Sequence, residues 1–245
     1  MAQNPADALS IKADLAICYK AERDYAKATP LFEEVAQSAE GTRLFEASFW
    51  VLDCLTEQEK NEEAIVYLDK MLADHPDWKY LIDYRRACCL CELQRHQEAV
   101  ELLKQYLAET PDKDFARNVE VMIANITLAA FGKPDEARVL LEKVIADHPD
   151  YPGMIEVRSL VANCAYDKQN YAEAAELYKA AFECPEYGTF RPFIQYMIGD
   201  CYAQIEDYTK AFPAWDKLKD LFPSDCWVEV AAEKTARIRA RTEGK

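Results

Sequence analysis

The pattern that most invites chemistry is Cys88-Cys89-Leu90-Cys91, a C-x-x-C spacing with His96 five residues further on. Thiolates and an imidazole are a common zinc ligand set, so a metal reading follows from these residue types. Packing competes with it: the cysteines fall inside an expected helix, and no second ligand pair follows at finger-like distance. The chain holds nine cysteines, an odd count, whereas a disulfide framework uses an even one. His75 and His148 each precede a proline and sit where a histidine can meet the negative end of a helix. Acidic pairs such as Glu33-Glu34 and Glu62-Glu63 read as solvated helix charge. No G-x-S-x-G, phosphate loop, G-x-G-x-x-G or H-E-x-x-H is present. The expectation is therefore a chain without catalytic residues, cofactor or metal.

The elements that position these residues come from a repeat. An alanine followed four residues later by a large apolar side chain recurs six times: Ala28/Phe32, Ala64/Leu68, Ala99/Leu103, Ala137/Leu141, Ala174/Tyr178 and Ala211/Trp215. The copies are separated by 36, 35, 38, 37 and 37 residues, the period of a helix-pair solenoid. Twelve residues after four of these anchors stands a proline (Pro76, Pro111, Pro149 and Pro223), which ends a helix. Asp24, Asn170 and Asp207 are placed to cap the helix that follows. Six glycines in 245 residues suit an all-helical chain. Ten residues before the anchors stand Cys18, Cys54, Cys89, Thr127, Cys164 and Cys201, so five cysteines share one structural position with a compact apolar role. Reduced thiols of this kind suggest a cytoplasmic location.

The sixth copy, Gly199-Asp-Cys-Tyr202 followed by Ala211, Trp215 and Pro223, and the first, Ala16-Ile-Cys-Tyr19 followed by Ala28 and Phe32, resemble the tetratricopeptide repeat (TPR). The resemblance implies an all-α fold, a right-handed α-solenoid of about six helical hairpins. They would span about 5–40, 43–76, 78–111, 114–149, 153–186 and 191–223, with a C-terminal capping helix and tail over 224–245. It also implies a concave groove lined by first helices, where a partner protein or peptide would bind. The matching places include Phe49, Asp53, Tyr84, Cys88, Met122, Ile126, Ser159, Asn163, Tyr196 and Asp200, with Trp50, Arg85 and Tyr166 as adjacent candidates. The clamp by which some members hold an acidic C-terminal peptide needs lysine and asparagine there, and only Asn163 and Arg85 are similar. The lengthened repeat and the phrase Ala-Asp-His-Pro-Asp, at 73–77 and 146–150, are also similar to bacterial envelope proteins of the Tol-Pal-associated and outer-membrane-assembly lipoprotein type. That similarity would imply an envelope assembly role and a periplasmic location after removal of an export signal.

Charge narrows the partner. With 29 basic and 44 acidic residues the net charge is −15, which disfavours nucleic acid, including an RNA-binding helical-repeat role. A neutral-to-basic or apolar protein segment is the expected ligand. The longest apolar runs fall far short of the roughly 20 residues that cross a bilayer.

Overall fold

A computed structural model describes residues 5–110, 112–185 and 190–243. Among these residues every regular element is helical. They form α1 (Pro5–Ala21), α2 (Tyr25–Ser38), α3 (Gly41–Glu57), α4 (Asn61–Asp74), α5 (Lys79–Glu92), α6 (His96–Glu109) and α7 (Lys113–Ala129). Then come α8 (Pro134–Asp147), α9 (Met154–Asp167), α10 (Tyr171–Phe182), α11 (Arg191–Gln204), α12 (Tyr208–Leu221) and α13 (Cys226–Glu243). A 3-10 turn, Pro76–Trp78, precedes α5, so Trp78 lies just outside the helix the sequence assigns it to. Pro76, Pro149 and Pro223 each stand two residues after the last helical residue, as a residue without an amide donor should. Pro111 and the end of the fifth repeat near 186 lie outside the described residues.

The helices group into two compact units, residues 1–111 and 112–245. The first holds α1 to α6 as three hairpins; the second holds α7 to α12 as three more, followed by α13. In both, the anchor alanines explain the packing. Ala28, Ala64, Ala99, Ala137, Ala174 and Ala211 are fully buried, and so are Phe32, Leu68, Leu103, Leu141 and Tyr178 one turn on. A methyl group at the anchor lets two helix backbones approach, and the large residue beside it fills the space so opened. Gly199 shows how tight this contact becomes. A Cβ there would meet the Trp215 indole at 2.4 to 2.8 Å, while Trp215 Nε1 donates to the Tyr196 carbonyl at 3.1 Å. The ring is pinned and cannot yield.

The turn inside each hairpin rests on a backbone device rather than on the expected caps. Five residues before every anchor the chain enters the left-handed region: Arg23, Glu59, Gln94, Gly132, Gln169 and Glu206 have φ between 59° and 62°. The next amide reaches back five residues in five of the six turns, as in Asp24 N to Tyr19 O (2.8 Å) and Asn170 N to Ala165 O (2.9 Å). These bonds satisfy carbonyls left open at the helix end. Of the expected cap residues only Asp24 accepts the amide, from Lys27 at 3.3 Å. Asn170 and Asp207 make no such cap; Asp207 binds the side chains of Thr209 and Lys210 instead.

The shared cysteine position is buried in four of five copies, with Thr127 buried in the sixth. Cys18 departs from the expectation and is exposed. It lies on α1, whose far side carries no packed helix among the described residues.

Two substitutions test this account by urea unfolding followed by circular dichroism. Gly199→Ala should lower stability by about 1–3 kcal/mol, because the clash with Trp215 outweighs the roughly 1 kcal/mol of helix propensity it gains. Glu59→Gly should raise stability by about 0.5–1 kcal/mol, since relief of the left-handed backbone exceeds the entropy that glycine loses on folding.

Candidate functional site

In the first unit, three first helices deliver one connected surface group. Asp53 on α3 lies eleven residues before its anchor. Its two carboxylate oxygens meet Lys20 of α1 at 3.0 Å and Arg85 of α5 at 3.6 Å. The Arg85 guanidinium stands 5.9 Å from the ring centre of Phe49. Phe49 continues into an aromatic cluster: Phe45 lies 4.7 Å away and packs edge-on against Trp78 at 5.0 Å, with His75 stacked on Trp78 at 4.2 Å. Asp53, Lys20 and Arg85 keep 31, 30 and 41 % of their side-chain surface. On α1, Ile17 occupies the same place in the repeat as Asp53 and is 43 % exposed. The group is thus a pair of partly exposed cations sharing one carboxylate beside an aromatic cluster in which Phe49 is buried, at 8 % exposure, and Phe45 and Trp78 are half-buried.

The second unit builds the same arrangement and closes it. Asp200 of α11 matches Asp53 in phase, and accepts from Tyr166 of α9 (2.7 Å), from Tyr196 (3.3 Å), from Gln204 (3.3 Å) and from Lys234 of α13. Trp227 precedes Lys234 by seven residues, as Trp78 precedes Arg85. It packs against Phe193 at 5.2 Å and Tyr196 at 4.8 Å. Here, however, Asp200 is only 2 % exposed. Burial pushes its carboxyl up, but the hydrogen bonds from Lys234 and Tyr166, with the Lys234 charge and Gln204, hold it below its ordinary range. Tyr196 is pushed up to about 12 by burial and the adjacent carboxylate, and Tyr166 higher still. A saturated, buried cluster of this sort fixes helices; the open one in the first unit leaves surface for a ligand.

The remaining expected residues divide by what they touch. Trp50 turns away from Phe49 and packs on Phe32 of α2 at 5.1 Å. Ser159 is buried and donates to the Glu156 carbonyl of its own helix at 2.7 Å, so it presents no surface. Asn163 accepts from the Tyr178 hydroxyl, which commits it to its own hairpin. Ile126 is 7 % exposed; Met122, Tyr84 and Cys88 are half-buried. Both residues that resemble a carboxylate clamp are therefore engaged within the chain, Asn163 by Tyr178 and Arg85 by Asp53. Sequence reasoning missed Lys20, Phe45, Trp78 and Lys234. Their signal was spacing: Lys20 precedes Asp53 by 33 residues, and Lys234 follows Asp200 by 34, close to one repeat.

Burial works against thiolate formation at several of the cysteines. Burial raises the Cys88 thiol, and pushes Cys89, Cys91 and Cys164 up to about 11 and Cys201 to about 12, which keeps them protonated at neutral pH. Among the described residues no three His, Cys, Asp or Glu side chains gather where a metal ion could sit. No described helix is long and apolar enough to cross a membrane.

Tetratricopeptide-repeat sequence profiles match residues 55–117 and 128–184, and a second such profile matches 194–225. No curated protein matches the chain in sequence. Solved structures match its fold. The apo form of the quorum sensor NprR from B. thuringiensis superposes with a TM-score of 0.69 at 14% identity, covering 95% of this chain and 70% of that one. PilW, a type IV pilus biogenesis factor, gives 0.65 at 18% identity over 94% of this chain and all of its own. YrrB, a TPR protein with an unusual peptide-binding site, gives 0.51 at 17% identity over 82% and 97%.

The Asp200 cluster carries a prediction with a definite sign. A carboxyl held low in the folded state contributes stability that is fully present above its unfolded pKa of about 3.9, and that is lost as pH falls through the folded value. Lys234→Met should cost about 2 kcal/mol at pH 7. The stability gap between the parent and Asp200→Asn should shrink as urea titrations are repeated below about pH 4. A gap that stays constant down to pH 2 would refute the assignment.

Proposed function

The chain belongs to the tetratricopeptide-repeat family, and we propose that it works as a non-catalytic adaptor, holding a segment of a partner protein on the first-helix face of its first unit. The observation that carries this reading is the partly exposed Lys20, Asp53 and Arg85 network beside the half-buried Phe45 and Trp78, which pack over the buried Phe49. Aromatic rings in contact with a guanidinium are the composition of binding hot spots. The shared carboxylate keeps two long cations ordered, which lowers the entropy that a ligand must otherwise remove. Solved TPR structures similar in fold include NprR in complex with its cognate peptide NprX, which supports peptide capture as the mode.

Partner chemistry follows from what surrounds the rings. The exposed Ile17 favours apolar side chains, and a net charge of −15 favours a neutral-to-basic segment through long-range attraction. An acidic C-terminal tail fits poorly, because the two clamp-like residues are already engaged. Function by docking needs no titrating nucleophile, consistent with the protonated thiols.

One narrower version has specific support: the likeness in fold to a type IV pilus biogenesis factor favours a role in assembling envelope machinery. Subcellular fractionation of the native protein separates the two, since recovery only in the cytosol would remove the envelope version.

Selection of a displayed peptide library against the full chain tests the adaptor reading. Selected peptides should be apolar with zero or positive net charge. Trp78→Ala and Arg85→Ala should each weaken them about tenfold or more, the loss of a hot-spot contact. Peptides rich in Asp and Glu, or binding indifferent to both substitutions, would overturn it.

A further inference from the structure

We propose a second binding site, on the opposite flank of α11 in the second unit, for a small aromatic carboxylic acid bearing a ring N–H or O–H. A cavity of about 430 Å³ opens between the second helices α10 and α12, with α11 as its floor. That volume suits a one- or two-ring ligand. Phe182, Ile198 and Tyr202 give it an apolar body, and three lysines, Lys179, Lys210 and Lys217, surround it. One carboxylate, the exposed Glu183, shares the rim. Three cations against one anion run counter to a chain with 44 acidic and 29 basic residues.

Two of the lysines have carboxylates of their own. Lys179 is held by Glu176 at 2.8 Å and by the Tyr202 hydroxyl at 2.6 Å, and Lys210 by Asp207 at 2.9 Å. Lys217 has no carboxylate at ion-pair distance among the described residues; it stands over the Phe182 ring at 5.1 Å. It is the group open to an incoming anion. Gln195 supplies the independent observation. It is 2 % exposed and lines the cavity floor, and its amide nitrogen donates to the Ala214 carbonyl at 2.9 Å. That bond fixes the amide, leaving Oε1 buried with no partner. A buried acceptor left unmet costs about 1–3 kcal/mol, which a ligand N–H or O–H would recover.

The first unit contains an internal comparison. A cavity of about 400 Å³ lies at the same place in the repeat, between α2 and α4 over α3. There Ser48 stands at the position of Gln195, Glu33 at that of Lys179, Ala36 at that of Phe182 and Lys70 at that of Lys217. Ser48 is hydrogen-bonded to Tyr67. A lysine at the Lys217 position thus recurs in the repeat, whereas the buried unmet acceptor and the lysines at 179 and 210, matched by Glu33 and Glu63, belong to the second unit's cavity and are not demanded by the fold.

Calorimetric titration of the full chain with three probes tests this: indole-3-carboxylate, naphthalene-1-carboxylate without the N–H, and indole without the carboxylate. Indole-3-carboxylate should saturate with Kd below about 1 mM, and each analogue should bind about tenfold more weakly. Lys217→Glu, an exposed change that the fold tolerates, should weaken indole-3-carboxylate about tenfold or more. Gln195→Met should erase the preference for indole-3-carboxylate over the naphthalene acid. Absence of saturable binding, or equal affinity for the parent and Lys217→Glu, overturns the proposal. Because the Trp78 and Arg85 surface takes no part, that outcome leaves the adaptor reading standing.

Discussion

Close approach of two helix backbones inside each hairpin is the constraint on which the rest depends. An alanine at the anchor permits it, and a large apolar residue one turn on fills the resulting gap; in five of the six copies both are fully buried. At α11 and α12 the demand is stricter. Gly199 is the residue the indole of Trp215 leaves room for, and Trp215 in turn ties its ring nitrogen to the Tyr196 carbonyl. Once these pairs are seated, the short turn has little freedom. It takes the left-handed conformation at the same place six times, with glycine used only at position 132. Repetition of one hairpin also means that residues about one period apart become neighbours, which is how Lys20 reaches Asp53 and Tyr166 reaches Asp200.

That neighbour rule produces two copies of one chemical arrangement with opposite fates. Asp53 and Asp200 each gather a donor from the preceding first helix and a cation from the following one. Around Asp53 the charged groups remain partly solvated, with the half-buried Phe45 and Trp78 beside them. Around Asp200 four donors saturate a carboxylate that is almost wholly buried, and the ion pair serves to lock α13 onto α11. The difference lies in burial and in the donors: Tyr166, Tyr196 and Gln204 stand around Asp200 where Lys20, Phe49 and Glu57 stand around Asp53. A charge removed from water must be fully satisfied to be tolerated, and a satisfied charge has nothing left to offer a ligand.

The cysteines illustrate the same separation between type and role. Nine thiols and a C-x-x-C spacing suggest metal or redox work when read as letters. Five of them recur at one phase of the repeat, and burial of four of those five, Cys54, Cys89, Cys164 and Cys201, makes these compact packing groups that the helix pair needs. Cys18 shares the phase and lacks the burial, because covering depends on a neighbouring helix and not on the residue itself.

The sequence alone determined the helix count, the hairpin pairing, the anchors and the proline stops, because these are local or periodic properties: a 3.6-residue apolar rhythm, a missing amide, a repeat length. It also located Phe49, Arg85, Asp53, Tyr166, Tyr196 and Asp200 on first helices by phase. Tertiary structure decided which of them are surface. Trp50 shares α3 with the partly exposed Asp53 and Ser159 shares α9 with the half-buried Tyr166, yet one packs on a neighbouring hairpin and the other bonds its own backbone. A rotation of a few tens of degrees about a helix axis separates those outcomes, and periodicity does not resolve it. The pairing of Asp200 with Lys234 and the unmet oxygen of Gln195 were likewise beyond the sequence. Hydrogen-bond satisfaction is a property of three-dimensional neighbours, set only when all the helices have packed.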